Sequence, residues 1–288
     1  MDKMKKTKHS NRTGAQRKDF RPVNKPISTT PTDWNNSALW YDDLVGERGH
    51  FHHERTIIPG LKRILKLNAG QHLLDVACGQ GVVCRAFAQM GVRVTGVDMA
   101  PELIHLAKQR SQSEELEDYY EGDARQLADF IKPPPHGFDA ACCVLAIANM
   151  TPLSPVWRSI GALLKPRGTL VVVMLHPCFR IPRASDWYFD AVALKQARAV
   201  SQYLTSANIS IEMHPGNPAS ELTHTFHRPL QAYFNTLSSA GFLVEHMEEW
   251  TSEKRPPKGV RYDAMERARK EIPMFLALKA RYFAADND

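Results

Sequence analysis

Two periodicities alternate along the middle of this chain. Continuous apolar runs of strand length occupy residues 72–76, 92–97, 138–145 and 169–175. Between them lie stretches with one apolar side at helical spacing. In the first of these, residues 82–90, Val83, Phe87 and Met90 fall together, and Gly91 closes the helix. Pro101 suits the first turn of the next, with Leu103, Ile104, Leu106 and Ala107 inward. Residues 118–124 form a short third strand running into a helix at Ala124. Ser154-Pro155 opens a further helix, with Trp157, Ile160, Leu163 and Leu164 buried. A last helix carries Leu230, Phe234 and Leu237 and stops at Gly241. Strands follow at 242–247 and 273–283, the latter antiparallel to the rest. Strands alternating with helices predict an α/β architecture, a parallel sheet covered on both faces.

The rhythm fails at both ends of this block. From residue 181 to about 225, Trp187, Tyr188, Phe189 and Tyr203 are scattered without a period. An insertion at the carboxyl end of a parallel strand sits over the ligand crevice. At the other end, ordered structure is expected to begin near Trp34, behind Pro22, Pro26 and Pro31. The chain thus divides into a basic disordered tail, 1–33, and one domain, 34–288, with 181–225 as a cover insert.

Charge sharpens that division. Residues 1–25 hold nine Lys or Arg against Asp2 and Asp19, and the total is +6, so the body is close to neutral. The tail reads as a solvated leader, with contact to nucleic acid as the alternative use. No apolar run reaches the roughly 18 residues a membrane span needs, and the basic start lacks a secretory apolar segment. Cytoplasm is the expected compartment. The five cysteines, Cys78, Cys84, Cys142, Cys143 and Cys178, lack paired metal spacing and read as small buried hydrophobes. His50, His52, His53 and Glu54 crowd together, but no partner set completes a metal site, and none is expected.

Candidate chemistry gathers where the first strand ends, in Leu73-Leu74-Asp75-Val76-Ala77-Cys78-Gly79-Gln80-Gly81. A dinucleotide turn wants G-x-G-x-x-G, but the third position here is Cys84. Asp75, four residues before Gly79, would repel a pyrophosphate and receive an ammonium group. Asp98 ends the second strand about 20 residues on, where a carboxylate can accept hydrogen bonds from ribose hydroxyls. S-adenosylmethionine (SAM) has the ammonium and the adenosine and no phosphate.

The segment resembles motif I of the class I SAM-dependent methyltransferases. The resemblance continues in order through W-Y-D (40–42), G-V-D-x-x-P (96–101), G-D-A (122–124), F-D-A (138–140), L-K-P-x-G-T-L (164–170), H-P-C-F (176–179) and H-R-P-L (227–230). It is nearest the small-molecule group of that family (methyltransferase type 11/25-like). It implies a Rossmann-like seven-stranded methyltransferase fold, mostly parallel, order 3-2-1-4-5-7-6 with strand 7 antiparallel. By the same resemblance Tyr41 and His52 lie in a lid, the backbone at Ala77, Cys78, Gly79 and Gly81 faces the cofactor, and Asp75 meets its ammonium. Asp98 then takes the ribose, Met99 lies against adenine, and Asp123 and Ala124 bind the adenine edge. The strand end from Cys143 to Leu145 faces the methionine part. S-adenosyl-L-homocysteine (SAH) is the implied product.

Two absences weigh against nucleic-acid acceptors: the Asn/Asp-Pro-Pro-aromatic tetrapeptide and a Pro-Cys turn after the fourth strand. The expected acceptor is a small molecule taking a methyl group on O, N or C. His176 is the candidate general base and His227 the second, with His52, Arg180, Trp187 and His227 as candidate substrate contacts. The alternatives are an RNA or protein methyltransferase anchored by the tail, and a non-catalytic SAM-binding protein.

Overall fold

The computed structural model describes residues 49–212 and 222–283, with Trp34, Ala38, Asp42 and residues 45–47 before them. Strand β1 (His72–Val76) sits in the middle of a seven-stranded sheet. β2 (Arg93–Asp98) and β3 (Glu117–Glu121) extend it on one side, and β4 (Phe138–Val144) and β5 (Leu164–Leu175) on the other, all parallel. The chain then leaves the sheet for two hairpins, β6 (Ser185–Asp190) with β7 (Lys195–Val200), and β8 (Ala207–Glu212) with β9 (Leu222–His227). It returns as β10 (Phe242–Trp250) and β11 (Phe275–Tyr282). β11 lies antiparallel between β5 and β10, giving the order 3-2-1-4-5-11-10. This is the expected order, with the last two strands numbered past the insert.

The helices divide between the two faces because the inner strands β1, β4 and β5 are buried on both. Helices α1 (Ile58–Leu65, entered from a π-helical turn, His53–Ile57), α2 (Val82–Ala88) and α3 (Pro101–Gln109) cover one. There Leu61, Phe87 and Ile104 pack on Leu73, Val94 and Val171. Helices α4 (Leu153–Leu163) and α5 (Leu230–Ser238) cover the other, where Trp157, Ile160 and Leu237 meet Leu74, Leu170 and Leu276.

Three expectations change. No α-helix follows β3; a single 3-10 turn (Leu127–Asp129) precedes Pro133-Pro134-Pro135. The region 181–225 is organised as hairpins. Its strands leave most residues half-buried or exposed on both sides, so no alternation marks them. Helix α6 (Tyr262–Glu271) was not anticipated, since Ala264 and Ala268 are its only buried residues and it carries no apolar stripe.

Candidate active site

The turn after β1 is built from left-handed backbone. Ala77, Gly79 and Gly81 have φ of 58°, 56° and 82°. Glycine at 81 is required twice over, because a Cβ there would also lie 2.6 Å from the Tyr119 hydroxyl. Ala77 is not glycine, so the turn stores strain, and so does Leu145 at the end of β4 (φ 56°). Strained residues persist only where their surroundings hold them. Here Cys78 N–H donates to the Val97 carbonyl (2.9 Å). Arg85, buried beneath, donates to the Gln80 carbonyl (2.6 Å), Gln80 Oε1 (2.7 Å) and the Glu47 carbonyl (2.9 Å). The Arg85 guanidinium is therefore spent on neutral oxygens of the turn and its lid.

Asp98 fixes the same turn from β2. Its Oδ2 accepts from Gly79 N–H (2.9 Å) and its Oδ1 from Ala100 N–H (3.0 Å). Burial raises its pKa, and these backbone bonds oppose the rise. Asp75 sits deeper, one per cent exposed, between two thiols that donate to it: Cys84 Sγ (3.2 Å) and Cys142 Sγ (3.3 Å). Both contacts follow from register, since Asp75 lies opposite Cys142 on β4 and opposite Gly96 on β2. A Cβ at Gly96 would crowd the sulfurs of Cys78 and Cys84 at 2.9 and 3.0 Å. Burial pushes the Asp75 carboxyl up to about 6; the thiol bonds pull it down and Asp98 pushes it further up.

Two cavities open at the strand ends. The larger, about 340 Å³, is walled by Ala77, Gly79, Asp98 and Met99, by Gly122 to Arg125, and by Leu145, Asn149 and Met150. Trp34 and Phe226 also border it. The smaller, about 20 Å³, is lined by Asp75, Cys78, Gln80, His53 and Val45, and shares the Ala77 and Val144 walls with the larger. That volume admits one water-sized group. An ammonium is of that size. The two cavities thus offer carboxylates at both ends of the glycine turn and no unspent cation, which fits an ammonium-bearing nucleoside and opposes a pyrophosphate.

Ala77, Gly79, Asp98, Met99, Asp123 and Ala124 line the large cavity, and Asp75 and Cys78 the small one. Gly81 touches neither and serves the turn. Tyr41 lies outside the described residues. Of the expected stretch Cys143 to Leu145, Cys143 is fully buried in the core cluster with Trp157 and Tyr233, while Val144 and Leu145, with Ala146 after them, line the cavity. Strand pleating explains the slip, since neighbouring residues point to opposite faces. Asp123 caps no helix. It accepts from Arg125 N–H (2.9 Å) and pairs with the Arg125 guanidinium, Nε at 2.8 Å. Sequence reasoning missed Asn149, Met150 and Phe226. Asn149, a polar residue just past a parallel strand's carboxyl end, could have been found by position alone.

The expected acceptor residues form a second group at the end of β5. His176 is engaged at both ring nitrogens: Nδ1 accepts from Cys178 N–H (3.2 Å), so the proton is on Nε2, which donates to Glu249 (2.6 Å). Both ring nitrogens of the buried His176 are thus engaged within the chain in this structure. His227 is similarly tied, with Nε2 donating to the Tyr203 carbonyl (2.8 Å). His52 packs edge-on against Phe275, 5.4 Å between ring centres. Arg180 and Arg198 both lie against Trp187, at 5.2 and 5.3 Å from the ring centre. The β8–β9 hairpin reaches the large cavity through Phe226 and is held there by Arg228, which donates to the Met150 carbonyl (2.7 Å). Among the described residues no three His, Cys, Asp or Glu side chains group as metal ligands, and no helix is long and apolar enough to cross a membrane.

Residues 74–172 match the family model described as methyltransferase domain. A ubiquinone biosynthesis O-methyltransferase from Xanthomonas campestris is 33% identical over 107 residues, 37% of this chain and 44% of that protein. The chain therefore matches less than half the length of that curated relative. The crystal structure of a SAM-dependent methyltransferase from Mesorhizobium loti superposes with a TM-score of 0.61 at 23% identity, covering 77% of this chain and 96% of that one. A phosphoethanolamine N-methyltransferase 2 from Haemonchus contortus, solved with phosphomonomethylethanolamine and SAH, gives 0.54 at 16% identity over 87% of this chain and 58% of that one. Residues 74–172 thus carry the match to a methyltransferase domain, and the fold is the one seen in solved SAM-dependent methyltransferases.

Proposed function

We propose that this chain binds SAM across the two cavities and transfers its methyl group to an O, N or C atom of a small-molecule acceptor. The observation that carries the reading is the pair of buried carboxylates flanking a glycine turn whose neighbouring cation, Arg85, is already spent. Asp98 accepts from the ribose hydroxyls, Met99 and Ala124 border the adenine, and Asp123 shares its carboxylate between Arg125 and the adenine amino group. Asp75 receives the ammonium in the small cavity. When bound, SAM supplies an electrophilic methyl on a sulfonium that is already a good leaving group. The protein is then left to align the acceptor and exclude water, and alignment alone lowers such a barrier by about 7–11 kcal/mol. Nothing in that assignment requires His176 as a base.

The β6–β9 insert covers the acceptor, with Phe226 closing the cavity it shares with the cofactor. Five free thiols, three of them buried, support the cytoplasm as its compartment. Calorimetry with SAH and with NADH tests the cofactor half: SAH should bind and NADH should not, and the reverse would end the reading. Transfer of a tritiated methyl group into metabolite, RNA and protein fractions tests the acceptor half. Label confined to RNA or protein would move the acceptor to those classes.

A further inference from the structure

The group at the end of β5 contains a guanidinium with no counter-charge. Arg180 is half-buried, and its Nε is sealed from solvent without an acceptor. No carboxylate pairs with it among the described residues. Burial and the neighbouring Arg198 press its pKa down to about 10, so the fold holds this charge at a cost. Arg198, against the same Trp187 ring, is committed elsewhere. Its Nε donates to the Phe179 carbonyl (2.7 Å) and its terminal nitrogen to Ser185 Oγ (2.8 Å).

The carboxylates nearby bond elsewhere: Glu249 accepts from His176 Nε2 (2.6 Å), and Asp186 accepts from Trp187 N–H (2.8 Å). His52 and Lys254 add no negative charge, and His52 Nδ1 is likewise buried without a partner. Buried polar groups in folded proteins are satisfied by the chain, by water or by a ligand. An indole beside a guanidinium without a paired carboxylate is a surface for a planar, anionic molecule.

Position ties this group to the transfer site. Leu145, in the wall of the large cavity, donates its N–H to the Val173 carbonyl (2.7 Å), two residues before β5 ends at Leu175. Phe275, the register partner of Leu175, carries His52, whose neighbour His53 lines the small cavity beside Asp75. Arg180 N–H donates to the His176 carbonyl (2.8 Å), fixing Arg180 in the turn that leaves β5.

We propose that Arg180, backed by Trp187 and flanked by His52, binds a carboxylate or phosphate group of the methyl acceptor, so that the acceptor is an anionic and planar small molecule. The inference rests on the SAM-dependent reading above and adds to it the charge of the second substrate.

The test uses the full chain saturated with SAH, titrated calorimetrically at low salt with benzoate, phenyl phosphate and neutral benzamide. One of the two anions should bind more tightly than benzamide, and which one does so separates carboxylate from phosphate. Arg180→Gln should weaken that anion about tenfold or more while SAH affinity stays the same. Arg180→Lys, which keeps the charge but not the fork, should fall between. Should Arg180→Gln fail to fold, the Arg180→Lys comparison carries the test, with a loss of about threefold expected. Equal anion affinity in wild type and variants, or no preference over benzamide, overturns the proposal. If SAH binds and the anions do not, only this inference falls; if SAH itself does not bind, both do.

Discussion

The buried carboxylate at Asp75 makes cofactor affinity depend on pH in a calculable way. In the free protein its pKa is about 6, because burial outweighs the two thiol bonds. An ammonium seated beside it would favour the charged form and return the pKa toward the ordinary value near 4. The shift of about two units corresponds to about 2.7 kcal/mol, or a hundredfold in affinity at the acid limit. At pH 5 the free carboxyl is about nine-tenths protonated, so SAH should bind about tenfold more weakly than on the plateau above pH 7. His53, which lines the same small cavity, has its pKa lowered to about 4 by burial and stays neutral through this window. The fold shows the opposite face of the same linkage. The folded pKa lies above the unfolded one, so the native state binds the extra proton, and Asp75's stabilising contribution is present at low pH. That contribution is lost as pH rises from about 4 to 6, by about 3 kcal/mol. Calorimetry with SAH from pH 5 to 8, in two buffers of different ionisation enthalpy, measures both the affinity and the proton released. Asp75→Asn should flatten the profile and abolish the release. A wild-type affinity constant across the range, or an Asp75→Asn profile with the same slope, would refute the placement of the ammonium at Asp75.

Two other perturbations check different parts of the structure. Asp98→Ala removes the acceptor of the Gly79 and Ala100 N–H groups and, in the proposed complex, two charge-assisted bonds to ribose worth about 3–6 kcal/mol together. SAH affinity should fall at least a hundredfold by calorimetry, and a change under about threefold would take Asp98 off the ligand. Gly60→Ala places a Cβ 2.4 Å from the Trp250 ring, which is itself held by its Nε1 donating to Glu248 (2.7 Å). Overpacking of about 1–3 kcal/mol should exceed the roughly 1 kcal/mol that alanine gains in helix propensity, so urea denaturation should show a net loss; a gain would mean the α1–β10 contact is loose.

The glycine turn and its flanking carboxylates were legible in the sequence because their placement is local. Asp75, Gly79 and Gly81 are fixed by one turn, and Asp98 by the strand beside it, so spacing alone places them together. The seven-stranded sheet was legible for a related reason: β1, β4 and β5 are buried on both faces and read as unbroken apolar runs. Where a residue's role depends on a second element, the sequence was silent. Nothing near position 176 announces Glu249, 73 residues away, yet that carboxylate is the partner of the His176 Nε2 proton. Of the expected stretch Cys143 to Leu145, Cys143 alone turns into the core, because a strand's end does not reveal which face its last residues take. The hairpins at 185–227 were invisible for a physical reason that also bears on function. A cover that is half exposed on both sides cannot be written in alternating polarity, and its specificity comes from side chains such as Arg180 and Trp187 meeting across a turn. A fold of this kind keeps the cofactor in a sequence-encoded turn and leaves the acceptor to a region with no period. The acceptor must therefore be sought in unpaired charge and open rings, and Arg180 supplies the first of these.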